Sequence, residues 1–82
     1  MFRIYTEDRN RWKVKAILNR LFASYTLLYS IGTWKGRVEH SMIIELDGVP
    51  RADVEKAARE IKKVNAQDAV MVQEIAAETQ FV

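Results

Sequence analysis

The sequence predicts an α+β domain in which two helices cover one face of a four-stranded antiparallel sheet, the ferredoxin-like or split βαβ arrangement. Three observations carry this. Residues 2–7 and 37–46 alternate in character with period two; two other segments repeat apolar residues at i, i+3, i+4 and i+7; and the resulting order is strand, helix, strand, strand, helix, strand. Right-handed crossovers in the two βα units put both helices on the same side. A chain of 82 residues holds one such domain, 1–82, and nothing larger.

Phe2, Ile4 and Thr6 share one face of the first strand, and Arg3, Tyr5 and Glu7 the other. From Asn10 to Phe22 the period lengthens, with Val14, Ile17, Leu18 and Leu21 as the apolar stripe of a helix and Asp8 or Asn10 as its N-cap. Ser24 to Trp34 and Arg37 to Leu46 are rich in β-branched and aromatic residues. They form a hairpin whose tip is Thr33-Trp34-Lys35, bracketed by Gly32 and Gly36. Asp47-Gly48 ends the third strand, and Pro50 stands where a helix can begin because its missing N–H is unneeded there. Val54, Ala57, Ala58, Ile61 and Val64 stripe the second helix, and Asn65 stops it. Ala69 to Val72 opens a last strand that continues, bent, to Phe81-Val82. This arrangement leaves one sheet face uncovered, which is the basis for expecting a homodimer.

Composition narrows the chemistry. The absence of Cys removes disulfide scaffolds, thiolate metal sites and cysteine nucleophiles, and a single His leaves little for a histidine metal centre. No cofactor is expected. The N-terminus has acidic residues where a signal peptide needs an apolar run, and Leu21 to Ile31 is too short and too polar to span a bilayer. A cytoplasmic protein without membrane contact is therefore expected. The total charge of +2 conceals a division. Residues 1–37 hold eight basic residues against two acidic ones, a net +6, and residues 38–82 hold five against nine, a net −4.

The first helix carries much of that positive charge. On a helical wheel Trp12 falls opposite Leu21, so it is expected on the surface among Arg9, Arg11, Lys13 and Lys15. Tryptophan beside arginine is the composition of a binding hot spot, and cations around an aromatic also suit phosphates and bases. The plainer alternative has Trp12 folding over the end of the sheet while the lysines solvate the helix. The hairpin tip repeats the theme with Trp34, Lys35 and Arg37. There too a plainer role exists, with Trp34 covering a core edge or a dimer seam.

Other candidates carry less. His40 shares the apolar row Val38, Met42, Ile44 and Leu46 of the third strand, which marks it as a hydrogen-bonded core-edge residue before a general base. Lys35 to His40 starts like an RNA-recognition octapeptide, then puts Glu39 and Glu45 where phosphate should approach. The turn Thr6-Glu7-Asp8-Arg9 offers neither a glycine-rich phosphate cradle nor the glycine-containing turn of an ACT-type amino-acid sensor. Glu55–Arg59 and Lys56–Glu60 are spaced as surface ion pairs of the second helix.

The segment from Gly32 to Ser41, with Trp34, Gly36, Glu39 and Ser41 at these spacings, precedes Asn65-Ala66-Gln67 and a Val-rich last strand. In this the chain resembles small uncharacterised βαββαβ proteins carried by bacteriophages and other mobile elements. The resemblance implies a compact accessory protein of the host cytoplasm that binds and inhibits a host defence or regulatory factor. It implies no site residue.

The expectation is thus a non-enzymatic protein-binding module. It presents Arg9, Arg11, Trp12, Lys13 and Lys15, with Trp34, Lys35 and Arg37, to an acidic protein surface of a host factor. Two alternatives stand beside it. One is a nucleic-acid binder using the same basic helix; the other is a small dimeric α+β-barrel ligand-binder or enzyme with His40 lining a cavity between sheet and helices.

Overall fold

The computed structural model describes residues 1–76 and 80–82. Its elements run β1 (Phe2–Glu7), α1 (Arg11–Leu21), β2 (Thr26–Trp34), β3 (Arg37–Leu46), α2 (Arg51–Val64) and β4 (Met71–Glu74). The strands form one antiparallel sheet in the order β2-β3-β1-β4, so the fold is the ferredoxin-like α+β arrangement. No helix among the described residues is long and apolar enough to cross a membrane.

Period-two alternation decides which face is buried. Phe2, Ile4 and Thr6 of β1 and Met42, Ile44 and Leu46 of β3 are buried beneath both helices. Val14, Ile17 and Leu18 of α1 and Val54, Ala57, Ala58 and Ile61 of α2 complete that core. The opposite face is open. Across it Leu28, Ile43, Tyr5 and Met71 stand in register on the four strands and make one apolar row.

Several boundaries differ from the sequence reading. Asn10 takes the N-cap position of α1 in the left-handed region (φ 52°), but its side chain caps nothing. That amide instead donates to the Val64 carbonyl at 3.1 Å and to Asn65 Oδ1 at 3.2 Å. Asp8 is drawn away from capping by Arg11. Pro50 lies one position before the helix, as N-cap of α2. The last strand is confined to Met71–Glu74; its expected continuation crosses residues 77–79, which lie outside the described residues, and Phe81 and Val82 are exposed. Neither Glu55–Arg59 nor Lys56–Glu60 forms an ion pair; Glu60 turns instead to Arg20 of α1 and ties the two helices together.

Asn65 stops α2 as expected, but it does more. It is buried, and its Nδ2 donates to Thr6 Oγ1 and Gln67 Oε1, each at 3.2 Å. The Asn65 carbonyl accepts from Arg9 at 2.8 Å. Ala66 follows in the left-handed region (φ 50°), with its N–H on the Lys63 carbonyl and that of Gln67 on the Lys62 carbonyl, a Schellman ending. The end of β1, the start of α1 and the end of α2 therefore meet at one buried amide.

Candidate functional site

The turn of the hairpin is two residues, Lys35-Gly36, both at positive φ (48° and 75°). This is the type I′ geometry, whose twist matches that of the paired strands. Thr33 and Trp34, expected in the loop, thus belong to β2. Because β1 pairs only with Ser41–Leu46 of β3, the distal part of the hairpin extends beyond the sheet as a two-stranded arm. Its length explains the fate of His40. The residue faces the helix side with Met42 and Ile44, but the arm has left the core behind there, and His40 is exposed. It borders an open depression of about 290 Å³ with Glu7, Asp8, Arg9, Glu39 and Ser41. It is neither a core-edge residue nor the lining of a cavity between sheet and helices.

Trp12 is 88% exposed, so it does not fold over the sheet end. Neighbouring residues of α1 reach β2. The Arg11 guanidinium lies 3.8 Å from the centre of the Tyr29 ring, and the Tyr25 hydroxyl, just before β2, donates to Asn19 Oδ1 at 2.7 Å. Arg11, Asn19 and the intervening Lys15 recur every four residues, which puts them on one side of the helix. Between that side and the strand lies a depression of about 230 Å³ lined by Arg11, Trp12, Lys15 and Tyr29.

Electrostatics divides the cations into two groups. Arg11 makes two hydrogen bonds to Asp8, at 2.7 and 2.6 Å, which hold the Asp8 carboxyl below its usual range; nearby His40 adds a smaller pull in the same direction. The same bonds raise the Arg11 guanidinium further above its ordinary value. Arg9 pairs with Glu7, Arg3 with Glu45 and Arg20 with Glu60. Lys13, Lys15, Lys35 and Arg37 have no ion-pair partner among the described residues. The first two stand on α1, and Lys15 lines the depression beside Trp12. Arg11 and Arg9 hold the structure that presents them.

The expected site residues do not form one surface. Arg11, Trp12 and Lys15 converge with Tyr29 on the helix side, and Lys13 stands exposed on the same helix. Trp34 and Arg37 pair on the opposite, open face at the arm's tip, with Lys35 Nζ 4.5 Å from the Trp34 ring centre. Tyr29 was not among the expected residues; its even mix of neighbours in sequence gives no sign that a helix cation will stack on it. A second cationic depression, lined by Arg59, Lys62 and Lys63 with Ala66 and Gln67, lies at the end of α2.

No family model matches the chain, and no curated protein matches it. Among solved structures, one described as "De novo designed protein Foldit4" is 27% identical to the chain; the alignment covers 94% of this chain and 93% of that one, at a TM-score of 0.48.

Proposed function

We propose that the chain is a protein-binding module whose groove between α1 and β2 takes an acidic surface of a partner protein. The supporting observation is the exposed Trp12 beside Lys15 and Tyr29, on a helix whose sequence contains four basic residues and no acidic one. A desolvating aromatic flanked by unpaired cations is the composition of a hot spot for carboxylate-bearing partners. A host defence or regulatory factor as that partner rests on the resemblance of the hairpin and last strand alone. The open face, with Leu28, Ile43, Tyr5 and Met71 in one row, is read as the seat of a second copy.

Charge reversal tests the groove. Immobilised polyglutamate is expected to retain the wild-type chain at low salt and to release the double variant Lys13→Glu, Lys15→Glu. Equal retention of the two would overturn the reading, and stronger retention on single-stranded DNA than on polyglutamate would replace it with a nucleic-acid interface.

A further inference from the structure

We propose that the outer edge of β2 accepts an extended, acidic peptide segment of the partner as a fifth strand. The inference rests on the reading of the α1–β2 groove as an acidic-partner site, and names what enters it.

β2 is an edge strand in the order β2-β3-β1-β4, and no described residue pairs along its outer side. The two-residue turn makes Trp34 and Arg37 a mutually hydrogen-bonded pair, and alternation then turns the backbone groups of Leu27, Tyr29, Ile31 and Thr33 away from β3. Edges of this kind are ordinarily blunted by lysine, proline, a bulge or brevity. β2 has none of these. It is nine residues long, Thr-Leu-Leu-Tyr-Ser-Ile-Gly-Thr-Trp, uncharged, and paired with β3 without a break in register. The other edge, β4, has four residues and places Glu74 in an ion pair with Arg51.

Charge selects the occupant. A strand added at this edge projects alternate side chains toward the helix side, beside Tyr29 and within reach of Lys15 and Trp12. Carboxylates at those positions meet unpaired positive charge; the intervening side chains lie on the open face beside Leu28 and Trp34, which suits apolar residues. A second copy paired through the same edge is disfavoured, because it would bring two α1 helices together, each with Lys13 and Lys15 unpaired among the described residues.

The test uses the whole chain, labelled for amide-resolved hydrogen exchange, and two capped synthetic peptides, one alternating Glu with Val and the other alternating Lys with Val. The Glu peptide is expected to slow exchange at Tyr29 and Ile31 by about tenfold or more, and the Lys peptide to leave it unchanged. Ile31→Pro removes an edge donor at a position where proline is tolerated, and is expected to weaken Glu-peptide binding by about tenfold while the β2–β3 amides stay protected. Binding that shifts the Trp12 indole without slowing the edge amides would overturn strand addition and leave the groove reading standing. No binding of the Glu peptide would overturn both. Edge protection that grows with protein concentration in the absence of peptide would overturn the proposal in favour of self-pairing.

Discussion

The guanidinium of Arg11 lies 3.8 Å over the ring of Tyr29 while its nitrogens hydrogen-bond Asp8. One side chain therefore joins the β1–α1 turn, the helix and the edge strand, and sets the wall of the groove beside Trp12. Arg11→Ala should loosen this junction. The Tyr29 ring resonances should shift as the cation leaves, and amide exchange along β2 should accelerate while that of β1 does not. Unchanged Tyr29 shifts in the variant would show that the stack has no hold in solution.

The same contact gives a pH dependence. Arg11 depresses the carboxyl of Asp8 in the folded chain, so the folded state binds this proton less readily than the unfolded one. The stabilisation is fully present above the unfolded value, about 3.9, and is lost as pH falls through the lower folded value. Acid unfolding of Asp8→Asn should consequently lack the part of the wild-type pH dependence below about pH 4 that this carboxyl supplies. An Asp8 carbon resonance titrating at or above the ordinary carboxylate value would contradict the pairing.

Asn65 joins β1 to the end of α2 through Thr6 and Gln67. Replacing it with Ala leaves buried partners unsatisfied and should cost about 2 kcal/mol, lowering Tm by roughly 8–16 °C. Calorimetry checks this, and a loss below the resolution of the scan would show that solvent replaces the amide freely.

Ala66 holds the left-handed position of the Schellman ending, where a Cβ is strained. Ala66→Gly relieves that strain and gives back part of the gain as unfolded-state entropy, for a net stabilisation of about 0.5–1 kcal/mol in denaturant unfolding. A destabilised variant would mean that the methyl group packs usefully.

If a second copy covers the open face, Met71→Glu puts a charge into the apolar row beside Tyr5 and should shift sedimentation equilibrium toward the monomer. A wild type that stays monomeric at high concentration would remove this role from the face.

Much of the fold is legible in the sequence because local periods coincide with burial. The alternation of Phe2, Ile4 and Thr6 and the stripe of Val14, Ile17 and Leu18 each name their core side directly. What could not be read depends on contacts distant in sequence. Asn65 is an obvious helix stop, yet nothing local shows that its amide will be buried against Thr6, fifty-nine positions away. Glu60 has a lysine at the right helical spacing and chooses Arg20 instead. His40 keeps the face that alternation gives it, but its burial depends on where β1 ends, a tertiary property. The wheel alone puts Trp12 on the surface, where it is exposed, whereas its companion Tyr29 is visible only once the strand register sets that ring on the helix side beside Arg11.

The Trp12 indole can itself report on the acidic-partner site proposed for it and its lysines. In a Trp34→Phe background the tryptophan emission comes from Trp12 alone. Titration with polyglutamate at low salt should shift or quench that emission saturably, and Lys13→Glu with Lys15→Glu should weaken the response by about tenfold or more. Emission that ignores polyglutamate, or that responds equally in the charge-reversed variant, would contradict the account.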